Sequence, residues 1–299
     1  MTDNLMFQPE SDATIIREDV LQRMVSAIGE LPASPVIITS VMNMTANLDT
    51  NVTEVSRLLA TDSTLTAKVL KLANSSYYGR PQEVSSVREA ILILGFYAVR
   101  TLVIASSARG LFAGDEPDGP VEKLWRHFLA TAIAARQIAG HLRHPLRDEV
   151  FIAGLMHDIG KLVMLENLGF RYRDIILQVE HAHCTFLDEE LKHLGFTHVN
   201  VAHLVTARWG LPPSLVTAIA EHHSLQGYRP DSPMPISYIV HLANNMAKQL
   251  RVGFDDAREK DLGRLESTQA MRLDDDILEE LMSSVKEYYQ TEIRILNEQ

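Results

Sequence analysis

The chain has 299 residues, 46% of them hydrophobic, enough to bury one large core or two ordinary ones. Twenty-eight basic residues stand against 39 acidic ones, a net charge of −11, and Arg126, Arg136, Arg143, Arg147 and Arg171 are scattered among acidic and apolar neighbours. Such a surface repels polyphosphate backbones and argues against nucleic-acid partners.

The first residues, MTDNLMFQPESD, contain no basic region followed by an apolar core, and they are polar enough to form a frayed tail over 1–19. Runs such as AILILGFYAV at 90–99 fall far short of the roughly 18 apolar residues of a membrane span. A soluble cytoplasmic protein without a membrane partner is expected. The lone Cys184 forms no internal disulfide and reads as an inert small hydrophobe.

Helical periodicity dominates from there on. VLQRMVSAIGEL at 20–31 aligns Val20, Met24, Ile28 and Leu31, and VTEVSRLLATD aligns Val52, Val55, Leu58 and Leu59. Asp62 is a candidate N-cap for STLTAKVLKLAN, and Ser86 with Glu89 has capping-box spacing before the run from Ala90. Asn74 ends an apolar helix, where it caps backbone groups or joins a partner surface, and Gly79 before Pro81 suits a loop. Tyr77 and Tyr78 read as packing residues of that loop.

The Gly- and Pro-rich stretch FAGDEPDGPVEK at 112–123 divides residues 20–112 from a second helical half at 121–250. Polar breaks follow at 224–235 and 251–269. DDDILEELMSSVKEYYQTEIRIL then resumes helical spacing, with acidic residues at its start as the helix dipole prefers. An all-α protein of two layers is expected, with a linker and C-terminal helix over 251–299.

Histidine carries the chemical signal. Among twelve, His127, His157 beside Asp158, His198, His222 and His223 form an ordered series in or beside predicted helices. Divalent transition metals take neutral imidazole and carboxylate ligands, and a helical bundle can aim several at one point. An Asp in such a set can bridge two ions. Taken singly, each histidine is more often a packing or surface residue. Lys161, four residues after His157, would share its helical face, touching a phosphate or pairing with Glu166 or solvent. His141, His144, His181, His183, His193, His203 and His241 read as surface or packing residues.

Residues 20–250 resemble the HDOD family, a helical signalling module related to the HD superfamily of metal-dependent phosphohydrolases. The resemblance is carried by LPASPVIITSVMNM, LLATDSTLTAKVLKLANSSYYG and VSSVREAILILGFYAVRTLVIASS in the first half. In the second it is carried by LWRHFLATAIAARQIA, EVFIAGLMHDIGKLVM, ELKHLGFTHVNVAHLVTARWGLPPSLVTAIAEHH and YIVHLANNMAKQL.

The resemblance implies that His127 matches the first helix-borne histidine of the superfamily, that His157 and Asp158 match its eponymous pair, and that Lys161 matches the lysine after it. His198, His222 and His223 match the added histidines of HD-GYP cyclic dinucleotide phosphodiesterases. Asn244 falls where the superfamily places its last aspartate, and an amide holds a divalent ion less firmly than a carboxylate. The Gly-Tyr-Pro motif is absent after EHHS, where LQGYRPDSP stands instead.

The implied function is therefore regulatory: a signalling module acting through protein partners, with a retained pocket for a divalent transition ion (Fe, Mn, Zn or Ni), two ions if Asp158 bridges. The alternative is a phosphohydrolase acting on a small phosphorylated ligand, such as a nucleotide or cyclic dinucleotide, with Asp158 and Lys161 carrying the chemistry. A third reading ties helices together through a structural metal without turnover.

Overall fold

A computed structural model describes residues 21, 51–60, 66, 69–70, 72–74, 84–96, 99, 119–182, 184–208, 211–254 and 261–297. Every regular element among them is a helix, so the protein is all-α. The expected helix at 20–31, the Asp62 cap, Tyr77, Tyr78, Gly79 and most of the 112–123 break lie outside the described residues. So does most of the layer expected over 20–112.

In chain order the described helices are α1 (Val52–Leu59), α2 (Pro120–His141), α3 (Arg147–Met156), α4 (Ile159–Leu168), α5 (Phe170–Ala182) and α6 (Phe186–Leu194). They continue with α7 (His198–Arg208), α8 (Pro213–Glu221), α9 (Ile236–Gln249), α10 (Glu266–Met271) and α11 (Asp275–Asn297). Residues 87–96 are also helical.

Local chemistry explains several boundaries. The Asn51 side chain accepts from Thr53 N to cap α1, which buries Val55 and Leu59. Glu89 N donates to Ser86 Oγ at 3.1 Å, the first half of the expected capping box. The Asn74 amide bonds both backbone groups of Val84, 2.9 Å to its carbonyl and 2.6 Å from its N–H, so it satisfies backbone as expected. Pro120 opens α2 at a position where its missing N–H costs nothing. Within the polar break expected over 251–269, residues 261–269 contain a 3-10 turn, Leu262–Arg264, and the start of α10.

The central element is α2. It buries Leu124, Phe128, Ile133 and Ile138, together with Ala130, Ala132, Ala134, Ala135 and Ala139. Alanines on several sides let neighbours approach closely, and α3, α9 and α11 all pack against it. Gly154 of α3 meets α2 so closely that an added Cβ would lie 2.9 Å from Ala132 Cα. The crossing of α4 with α7 is tighter still, since a Cβ on Gly160 would lie 1.9 Å from the His198 carbonyl oxygen.

That crossing is what brings α4 and α7 together, and only a residue without a side chain fits it. Gly160→Ala is expected to destabilise the protein by about 2–4 kcal/mol, read as a lowered melting temperature. A variant that melts with wild type would show that the crossing tolerates bulk.

Candidate metal centre

The chain does not run straight through His157 and Asp158. The helix α3 stops at Met156 and α4 starts at Ile159, leaving His157 as the C-cap of one and Asp158 as the N-cap of the next. His157 and Lys161 therefore do not share one continuous helical face. A helix end leaves carbonyls without partners, and the His157 ring turns back to take one, with Nδ1 2.8 Å from Gly154 O. His222 repeats the device at the end of α8, with Nδ1 2.7 Å from Ile219 O.

His127, in mid-α2, places Nδ1 3.1 Å from Val252 O, beyond the end of α9. His198 opens α7 and places Nδ1 2.7 Å from Glu190 Oε2. In all four the Nδ1 partner is an oxygen that can only accept. In each ring that contact is shorter than the approach of Nε2 to Asp158, so a neutral ring that donates from Nδ1 presents a bare lone pair at Nε2.

Those lone pairs all face Asp158. His157 Nε2 lies 3.1 Å and His127 Nε2 3.7 Å from Oδ2. His198 Nε2 lies 3.1 Å and His222 Nε2 3.5 Å from Oδ1. Asp158 sits at a helix N-cap but makes no side-chain cap, because its carboxylate is turned into this cluster. The Nε2 atoms of His157, His198, His222 and His223 and the Asp158 Oδ1 are buried without a hydrogen bond. Buried polar atoms are rarely left so.

A carboxylate oxygen and a ring of lone pairs repel one another unless something positive lies among them. Two groups have the required reach: His127, His157 and Asp158, and Asp158, His198, His222 and His223, the ligand atoms in each lying within 4.8 Å of one another. Both contain Asp158. Asn244 of α9 joins the first, its Oδ1 3.1 Å from His127 Nε2. The amide either donates from its NH₂ in the flipped orientation or faces the same cation as the imidazole.

Lys161 is the cation that the structure does show. Its Nζ lies 2.7 Å from Asp158 Oδ2 and 4.3 Å from the Phe186 ring centroid, so it pairs with Asp158 and not with Glu166. His127, His157, Asp158, Lys161, His198, His222 and Asn244 are all buried, and His223 is partly exposed, with its ring centroid 4.0 Å from that of His222. The expected site residues thus meet at one place, across helices from 127 to 244.

Sequence reasoning missed Glu190, Tyr172 and Val252. Glu190 is fully buried and accepts from His198 Nδ1, from His198 N at 2.8 Å and from the Tyr172 hydroxyl. Glu190 stands among three acids in DEELKH that read as one charged turn, and its partner lies eight residues on, past Gly195 where α6 ends. Of the remaining histidines, His144 bonds Met234 O and Leu146 N, and His241 bonds Ser267 Oγ, as packing residues do. Burial and the adjacent Glu189 push the Cys184 thiol up, in keeping with an inert side chain.

The HDOD domain profile matches residues 31–225, so the chain belongs to the HDOD family. A crystal structure of an HDOD domain protein from Geobacter sulfurreducens superposes with a TM-score of 0.77 at 26% identity, covering 94% of this chain and 99% of that one. A Shewanella amazonensis protein described as a candidate phosphohydrolase gives 0.69 at 25% identity, covering 92% and 96%. An uncharacterized protein of Treponema pallidum is 22% identical over 224 residues, 73% of this chain. This chain spans 42% of that relative's length. No helix among the described residues is long and apolar enough to cross a membrane.

Burial sets the proton affinities. Desolvation, then the neighbouring His157, pull His127 from 6.5 to about 3. Desolvation does the same to His222, which also falls to about 3, and drives His223 well below its ordinary value. For His198 desolvation pulls downward too, but Glu190 and Asp158 outweigh it and the net shift is upward. Asp158 is opposed by desolvation, yet His157, Lys161 and His198 hold it well below 3.8.

Groups whose folded pKa is depressed stabilise the fold above their unfolded value and lose that contribution as pH falls. His198 acts oppositely, contributing at low pH and losing its contribution as pH rises through its folded value. Three depressed histidines outweigh one raised histidine. The metal-free protein is expected to lose melting temperature steadily from about pH 6.5 towards pH 4, with Asp158 adding to the loss at the acid end. A melting temperature unchanged between about pH 7 and pH 5 would contradict the assignment of buried neutral imidazoles.

Proposed function

We propose that this chain is a regulatory HDOD module that holds a divalent transition ion among His127, His157, Asp158, His198, His222, His223 and Asn244, and signals through protein partners. The observation that carries the metal reading is the set of buried nitrogens and the Asp158 oxygen that face one another without a hydrogen bond. The donor set, imidazole nitrogens with one carboxylate and one amide oxygen, suits Fe, Mn, Zn or Ni and not a hard cation such as Mg or Ca. Asp158 belongs to both donor groups, which supports a pair of ions bridged by it.

The regulatory part rests on the family and on the closure of the site. Every named donor except His223 is buried, whereas a catalytic centre keeps a position open to substrate. A surface suited to protein contact is present elsewhere: Phe170 and Leu177 lie seven residues apart on α5 and are 73% and 50% exposed. A cytoplasmic setting belongs to the same proposal, and the single cysteine as a free thiol is in keeping with it.

Hydrolysis of a small phosphorylated ligand is the second reading, favoured by the shared carboxylate and by Lys161 at its edge. When bound, the ion would supply a Lewis acid that polarises a phosphoryl oxygen. The chain's own part would be to hold Asp158 ionised, to keep the imidazole protons on Nδ1, and to offer the Lys161 ammonium to phosphate charge. That last role requires Lys161 to leave Asp158 Oδ2, an ion pair made at 2.7 Å within the core. Asn244 also supplies one negative charge fewer than the superfamily centre.

Titration of metal-free protein with Zn²⁺ or Mn²⁺ tests the first reading. Binding at micromolar concentration or tighter is expected, with loss in Asp158→Ala and tightening in Asn244→Asp; no binding by wild type would overturn it. Turnover of a cyclic dinucleotide at roughly 1 per second or faster would put the enzymatic reading first.

A further inference from the structure

We infer that Glu190, braced by Tyr172, is a positioning residue for the metal centre: it fixes the proton of His198 on Nδ1 and so aims the Nε2 lone pair at Asp158. The inference rests on the metal reading above and adds a residue outside the ligand set.

The geometry is that of a carboxylate behind a ligating histidine. Glu190 Oε2 takes both the His198 ring nitrogen at 2.7 Å and the His198 backbone N–H at 2.8 Å, which locks the ring to the first turn of α7. Oε1 accepts from the Tyr172 hydroxyl, so neither carboxylate oxygen is spare. Glu190 and Tyr172 are both fully buried, and they come from α6 and α5. Three helices are thus joined by one carboxylate that holds the ring nitrogen of a histidine of the cluster. The opposite nitrogen of that ring lies 3.1 Å from Asp158 Oδ1.

The arrangement differs from that of His127, His157 and His222. His127, His157 and His222 give their Nδ1 protons to neutral backbone carbonyls. A carboxylate partner makes an imidazole a stronger donor to a cation, and such outer partners commonly change metal affinity by about 10–100-fold. His198 is therefore set apart as the strongest nitrogen ligand of its group. A buried carboxylate serving only to staple helices would have no need of the ring nitrogen, since the backbone N–H and the tyrosine alone would satisfy it.

Two measurements separate this role from a staple. In metal-free protein with the histidines ¹⁵N-labelled, at a pH alkaline enough to leave the imidazoles neutral, His198 is expected to be held as a single Nδ1–H tautomer. Glu190→Ala should release it to a mixture, and a single unchanged tautomer would overturn the inference. Because that variant can fail to fold, Glu190→Gln keeps the shape and the acceptor while removing the charge.

Glu190→Gln is expected to retain the helical circular dichroism and nearly the melting temperature of metal-free wild type. It should bind Zn²⁺ about 10–100-fold more weakly. Tyr172→Phe should weaken Zn²⁺ by a smaller factor. Wild-type Zn²⁺ affinity in Glu190→Gln would overturn the positioning role. If wild type itself binds no Zn²⁺, the metal reading fails, while the tautomer still reports whether Glu190 orders the ring.

Discussion

A buried, ionised Asp158 is the constraint on which the helical core turns. Taking a carboxylate out of water costs several kcal/mol even after relaxation, and the cost is tolerated only where charge and hydrogen bonds answer it. Lys161 answers part of it at 2.7 Å. The four nearest imidazoles are delivered from α2, the α3–α4 break, the start of α7 and the end of α8, so the elements must sit where their rings can reach one carboxylate. The close crossing at Gly160 and the alanine-lined groove of α2 follow from that requirement as much as from apolar packing.

How the rings are aimed depends on ordinary helix-end physics. His157 and His222 stand where α3 and α8 run out of hydrogen-bond donors for their last carbonyls, and each ring supplies one. Capping and ring orientation are thus a single interaction. His127 uses the Val252 carbonyl after α9, which ties the site to the segment that leads on towards α10 and α11. Gly253 follows with φ +102, and a Cβ there would lie 2.8 Å from His127 Cβ, so the segment must stay bare to pass over the ring.

Much of this was legible in the sequence, and the boundary of legibility has physical causes. Helical spacing was plain where one face meets the core, as with Val55 and Leu59 of α1, whereas α4 buries every residue from Ile159 to Leu165 and shows no single face. The ordered histidines with Asp158 could be grouped because few other roles explain imidazoles in that series. The break between His157 and Asp158 could not be seen, since the apolar pattern of FIAGLM resumes in IGKLVM and the nearest following glycine, Gly160, lies inside α4 and not at the turn. Glu190 was hidden for a different reason. Its surroundings, LDEELKH, look like an exposed charged turn, and only the fold of α5, α6 and α7 shows that two of those three acids are buried, Glu190 behind the His198 ring and Glu189 against Lys192 and His193.

A regulatory module and a hydrolase could share this scaffold, and the difference between them lies in access and charge. Closure around the donors, Lys161 already spent on Asp158, and an amide at 244 all favour holding an ion over turning substrate over. The most direct test is a crystal structure of the protein grown with Zn²⁺, with anomalous differences collected at the zinc edge. A peak about 2.0–2.2 Å from an Asp158 oxygen and from at least two of the Nε2 atoms is the predicted result. Ordered waters bridging those same atoms, with no anomalous peak, would contradict it.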